Sequence, residues 1–171
     1  MTAPRMRPSI SSGSSRRRPR RLHLQNPGHK GRRLQFASLV VRAQRQIRAG
    51  GLKGFLHESL FGLYAAVPPD WRIRDEAEGK RYFLLFASLT GVNPQPEVPS
   101  LLGYADAVIE TPDAVYVLEF KYRRSARTAI RQIRDRGYAD KWAGGARPVT
   151  IVGFNFNPRK RNIDLPIIEP L

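Results

Sequence analysis

The sequence contains no cysteine, which excludes disulfides and any thiolate-bound metal site. It holds only three histidines, and two of them, His23 and His29, lie near the N-terminus, so no histidine-based zinc centre is expected. No run of about 18 apolar residues occurs, so no transmembrane helix is expected. The first residues also lack the apolar stretch of a secretory signal, and a cytoplasmic protein is the expectation. An Arg- and Ser-rich, acid-poor start is equally the composition of an organelle transit peptide, an alternative that stays open. Acidic residues are missing from the first 50 positions, which hold 13 of the 30 Lys and Arg residues and none of the 14 Asp and Glu. The remainder carries 17 cations against 14 acids, a net of only +3 out of the total +16. The basic character therefore belongs mostly to the N-terminal segment. Such a polycation attracts phosphate backbones by releasing their counterions, so nucleic acid is the expected partner and a membrane is not.

With 171 residues the chain is long enough for one compact domain and a tail. Residues 1–33 are rich in Ser, Pro, Gly and Arg, without apolar periodicity, and read as a disordered basic tail. Residues 34–74 read as a helical lead-in, with helices over 34–48 and 52–66 stopped by Pro68 and Pro69. Residues 75–171 read as the main domain. It opens with a helix over 75–90, whose acidic first turn suits the helix dipole. The period then changes. Residues 92–98 carry two prolines and make an edge strand at best. Residues 104–110 and 114–122 are β-branched and aromatic, and Thr111-Pro112-Asp113 turns them into a hairpin. A helix capped by Ser125 is expected over 125–142, a buried strand over 148–154 and a short last strand over 164–169. That order predicts an α/β fold with a small mixed sheet flanked by helices.

The chemistry-bearing unit is Asp106, twelve intervening residues, then Glu119-Phe120-Lys121. Side chains two apart on a strand share a face, so Glu119 and Lys121 project together while Leu118 and Phe120 turn into a core. Asp106 lies on the partner strand of the hairpin, close enough to be brought beside Glu119. Hard carboxylate oxygens of this kind suit Mg²⁺ or Mn²⁺, which bind through one or two protein ligands and leave room for water and phosphate. A neighbouring ammonium can orient that water or stabilise developing charge. These are the parts a phosphodiester hydrolase needs.

The string GYADAVIETPDAVYVLEFK resembles the metal-binding core of the PD-(D/E)XK nuclease superfamily, whose fold is restriction-endonuclease-like. With SARTAIRQIRDRGYADKW, PVTIVGFNFNPRKRNID and the lead-in LFGLYAAVPPD, it is most similar to the C-terminal nuclease domain of prokaryotic AAA-ATPase-like proteins. The resemblance implies a Mg²⁺-dependent nuclease acting on nucleic acid, DNA rather than RNA. It makes Asp106 and Glu119 metal ligands, the Phe120 carbonyl a third, and Lys121 the catalytic lysine. Glu97 falls where relatives often carry an acid and joins the candidate ligands. Gln132 and Tyr138 match a Gln/Tyr feature on the helix after the active site. With the arginine stripe of Arg127, Arg131 and Arg134 they form the candidate nucleic-acid contacts. Three departures stand out, one being the two prolines that flank Glu97 and weaken its strand. The family's Arg before the first Asp is Tyr104 here. The phosphate-binding motif GxxxxGK(S/T) is absent, so any ATPase would be a separate partner. A catalytically weak binding module on the same fold is the alternative.

Overall fold

The computed structural model describes residues 27–68, 70–71 and 73–171. The expected disordered tail over 1–33 lies for the most part outside the described residues. The backbone is already helical from Pro27, ahead of the start expected at 34. Among the described residues no helix is long and apolar enough to cross a membrane.

Two layers of helix sandwich one sheet. The first is built from α1 (Pro27–Gly50), α2 (Leu52–Gly54), a π-helical turn (Phe55–Ser59), α3 (Leu60–Ala65) and α4 (Glu76–Thr90). Gln46 of α1 ties the π-turn down, accepting from Ser59 Oγ at 2.5 Å and donating to Glu58 Oε2 at 2.9 Å. The start of α4 is specified locally. Asp75 accepts from the Glu78 N–H at 2.7 Å, and Glu78 accepts in turn from the Arg74 N–H at 2.8 Å. Gly91 closes the helix in the left-handed conformation at φ 84°.

The sheet has six strands: β1 (Gln95–Ser100), β2 (Gly103–Glu110), β3 (Val115–Tyr122), β4 (Val149–Asn157), β5 (Asn162–Ile163) and β6 (Ile167–Pro170). The order is β1-β2-β3-β4-β5, with β6 also pairing β4. Only β3 and β4 run parallel, joined by the crossover helix α5 (Ala126–Asp135). The edge strand expected over 92–98 is β1, shifted towards the hairpin and paired to β2 alone.

Strand alternation gives the sheet two cores. Leu118, Phe120, Phe154 and Phe156 pack beneath α1–α4 with Phe83, Phe86 and Leu63. Phe120 stacks on Phe154 at 5.1 Å and on Phe156 at 5.6 Å. The opposite face carries Val115, Val117, Val108 and Ile151 against Ile130 and Ile133 of α5. Two glycines let the helices approach this closely. A Cβ on Gly79 of α4 would come within 2.3 Å of the Phe156 ring, and one on Gly153 within 2.3 Å of the Ala126 carbonyl oxygen.

Helix α5 is shorter than the 125–142 expected. Gly137 takes φ 57°, the Tyr138 N–H returns to the Ile133 carbonyl at 3.0 Å, and the Gly137 N–H to the Arg134 carbonyl at 3.2 Å. This is the Schellman pattern of a helix end, so Gly137 terminates the helix instead of packing inside it. A separate 3₁₀ turn, Asp140–Trp142, follows. The two-residue β5 has no counterpart among the expected strands.

Candidate active site

The β1–β2 pairing sets Pro96 opposite Ala107 and Val98 opposite Ala105, which aligns Glu97 with Asp106. The β2–β3 pairing runs from Glu110↔Val115 to Ala107↔Leu118 and stops one step short of Asp106 and Glu119. Where the ladder stops, a side chain takes over: Asp106 Oδ2 accepts from the Phe120 N–H at 2.8 Å. The hairpin thus opens at the step that carries the two acids, and their register lines up Glu97, Asp106 and Glu119 across three strands.

Helix α4 completes the cluster. Lys80 Nζ donates to Asp106 Oδ1 at 3.0 Å and to Glu97 Oε1 at 2.5 Å. Lys121 Nζ donates to Glu119 Oε1 at 2.7 Å, to the Phe120 carbonyl at 2.6 Å and to Glu76 Oε1 at 3.4 Å. Glu76 and Lys80 are four apart, so one face of α4 supplies both. Glu97 reaches the cluster with φ 50°, in the left-handed region that non-glycine residues rarely enter.

Four carboxylates, Glu76, Glu97, Asp106 and Glu119, here meet two ammonium groups, Lys80 and Lys121. The cluster is formally negative in a chain of net charge +16. Its titration follows that surplus. Burial pushes the Glu119 carboxyl up to about 7, the Asp106 charge adds to the rise, and Lys121 offsets only part of it. Burial acts against the Lys121 ammonium, but Glu119, Glu76 and Asp106 outweigh it and hold its pKa above the usual lysine value. The same contest, between burial and the charges of Glu97 and Asp106, leaves Lys80 raised.

Glu119 Oε2 is buried and has no hydrogen-bond partner among the described residues. An orphaned buried carboxylate oxygen is costly unless a proton or a cation meets it. No three His, Cys, Asp or Glu side chains among the described residues form a metal cage by themselves. The donors present fit a different kind of ion. Mg²⁺ and Mn²⁺ take one or two carboxylates and keep several waters, and Asp106, Glu119 and the Phe120 carbonyl are hard oxygens of that sort.

The family is matched over residues 74–165, more than half of the chain. The chain belongs to the PD-(D/E)XK nuclease superfamily. The matched segment begins at Arg74, at the threshold of α4, and includes every residue of the cluster just described. The chain is also 29% identical over 123 residues to the "Uncharacterized protein in vnfD 5'region" of Azotobacter chroococcum mcd 1. That alignment takes in 67% of this chain and 24% of the relative, so the chain spans about a quarter of that curated protein's length. No solved structure matches the chain.

The remaining candidates lie apart from the acids. Arg131, Gln132 and Tyr138 line a shallow cavity of about 490 Å³ with Leu102, Thr128 and Arg136. Gln132 Nε2 donates to the Tyr138 hydroxyl at 3.2 Å. The arginine stripe divides: Arg127 and Arg134 both pair with Glu169 of β6, while Arg131 is in no ion pair among the described residues. Tyr104 is well exposed. Sequence reasoning missed Lys80 and Glu76. Their one signal was the four-residue spacing on α4, and the acidic first turn had a sufficient explanation in the helix dipole.

Proposed function

We propose that the chain hydrolyses phosphodiester bonds of nucleic acid, DNA in preference to RNA, with a bound Mg²⁺ or Mn²⁺. The observation that carries this reading is the orphaned Glu119 oxygen, set beside Asp106 with Lys121 on the same carboxylate. Asp106, Glu119 and the Phe120 carbonyl would hold the cation, with Glu97 at the outer edge. When bound, such an ion polarises a phosphate and makes water more acidic.

The chain's own residues do the rest. The Phe120 N–H fixes the Asp106 carboxylate, so its orientation is set by backbone. The Phe120–Phe154–Phe156 stack behind β3 holds Glu119 and Lys121 at constant spacing. Lys121, kept protonated by the surrounding acids, serves as a charged donor that positions water and meets the negative charge growing on the phosphoryl oxygens. Burial of Glu119 keeps bulk water from competing for its oxygens.

The test is cleavage of linear DNA with Mg²⁺ or Mn²⁺, run on the wild type, Glu119→Ala and Lys121→Ala with folding checked by circular dichroism. We expect products from the wild type alone. Equal cleavage by all three proteins refutes the proposal. One feature favours the alternative of a catalytically weak binding module: each carboxylate already has an ammonium partner, Lys80 on Asp106 and Lys121 on Glu119. Under that reading, DNA is retained intact with steep salt dependence and no response to the divalent ion.

A further inference from the structure

The acidic cluster repels phosphate, so a strand entering it needs cations alongside. A cleft of about 590 Å³ carries them, lined in part by the residues that follow Lys121 in the chain. That volume is in the range of ligand-sized sites, roughly 300–1,000 Å³. One wall holds Tyr122 and Arg123, the two residues that follow Lys121 on β3 and beyond its end. The lining also holds Trp71, Ile73 and Arg74, just ahead of α4 and Glu76 in the chain. Arg161, from the turn between β4 and β5, also lines it.

Three properties set the cleft apart from an ordinary basic surface. First, Arg74, Arg123 and Arg161 are in no ion pair among the described residues, whereas Lys160 beside them is held by Asp164 at 2.7 Å. Second, aromatic rings share the lining with those charges. Trp71 is 62% exposed, and its backbone is pinned by its N–H to the Pro68 carbonyl at 2.9 Å and its carbonyl to the Tyr82 hydroxyl at 3.4 Å. Arg123 lies over the Tyr122 ring at 5.3 Å. Third, Arg123 and Arg161 have φ of 57° and 53°. Glycine or asparagine would occupy the left-handed region at lower cost, so a long guanidinium at both positions points to a role for the side chain.

Guanidinium groups outside any ion pair and presented aromatic rings are the two elements that bind an unpaired strand: the first track phosphates, the second stack bases. A duplex hides its base faces and gains only the first. We propose that this cleft binds a single-stranded segment of nucleic acid, with a base stacked on Trp71 and phosphates on Arg74, Arg123 and Arg161, leading the strand to Lys121. The assignment of Lys121 as the destination rests on the nuclease reading; the binding itself does not.

The experiment measures fluorescence anisotropy of a labelled oligothymidine and of a blunt duplex with the full chain in EDTA, where divalent-dependent cleavage is off. Trp71→Ala should weaken single-strand binding by at least about fivefold, the lower end of what losing one stacked base costs, and change duplex binding less than about twofold, whereas Arg161→Gly, which removes a phosphate contact, should weaken both. Trp71→Phe, which keeps a ring, should retain most of the affinity. Unchanged single-strand binding in Trp71→Ala, or equal losses on both substrates in that variant, overturns the cleft assignment. A separate arm adds Mg²⁺ to the wild type. Selective loss of strand binding in Trp71→Ala with no cleavage by the wild type would leave the cleft standing and remove the nuclease reading. Cleavage with no Trp71 effect would do the reverse.

Discussion

Lys121 Nζ lies 2.7 Å from Glu119 Oε1, yet the second oxygen of the same carboxylate is buried without a hydrogen-bond partner among the described residues. One half of Glu119 is thus satisfied by a charge two residues away on its own strand, and the other half is held in reserve. This asymmetry has a measurable consequence for stability. Folding raises the Glu119 pKa from 4.5 to about 7, so between those values the folded chain binds more protons than the unfolded one. Stability from this group is complete below about 4.5, falls as pH rises through the window, and stays lower above about 7. Glutamine mimics the protonated form at every pH. In urea denaturation with EDTA, Glu119→Gln should therefore gain about 1–3 kcal/mol on the wild type between pH 4.5 and pH 8. A difference that does not vary with pH would show that the carboxyl does not titrate in this range.

Lys80 holds Asp106 Oδ1 and Glu97 Oε1 together, so any cation using those oxygens must displace it. Lys80→Met removes the competitor and keeps most of the side-chain volume. We expect Mn²⁺ to bind this variant about tenfold more tightly than the wild type by calorimetry, equivalent to about 1.4 kcal/mol. The metal-free variant should melt at a lower temperature, with Mn²⁺ restoring the loss. Weaker Mn²⁺ binding would instead make Lys80 an organiser of the site.

Glu169 occupies two of the three arginines in the α5 stripe. Glu169→Ala releases both. Nucleic-acid binding should then tighten at low salt, and the slope of log K against log salt should steepen by about one for each new phosphate contact. An unchanged slope would place Arg127 and Arg134 outside the interface.

Gly153 stands beside Glu119 in the β3–β4 register, and the first turn of α5 presses on it. An added methyl would meet the Ala126 carbonyl oxygen at 2.3 Å. Gly153→Ala should destabilise the chain by about 1–3 kcal/mol, read from the urea midpoint. A shift under about 0.5 kcal/mol would mean that α5 can ride outward at little cost.

Much of the site was legible because its main parts are local. A period-two strand pattern put Glu119 and Lys121 on one face, and a three-residue turn brought Asp106 alongside. The same reasoning separated Leu118 and Phe120 into the core they occupy. What stayed hidden depends on distant packing. Glu76 and Lys80 join the acids only because Gly79 lets α4 settle against Phe156, a contact between residues far apart in sequence. The extent of α5 was misread because Gly137 sits within a continuing amphipathic pattern, and its left-handed turn leaves no mark on that periodicity. The two residues of β5 are too few to show any period.

The outer margin of the sheet has a consequence for how these molecules behave in company. Of the six residues of β1, Pro96 and Pro99 have no amide hydrogen to offer a newcomer. The two stand three apart in an unbroken register, so one nitrogen faces outward and the other faces β2. A strand from another chain would find a gap where it needs a donor, so β1 makes a poorer template for fibril-like stacking or domain exchange. The missing donor thus disfavours the pairing by which a neighbouring molecule would seal off the flank of the sheet next to Asp106.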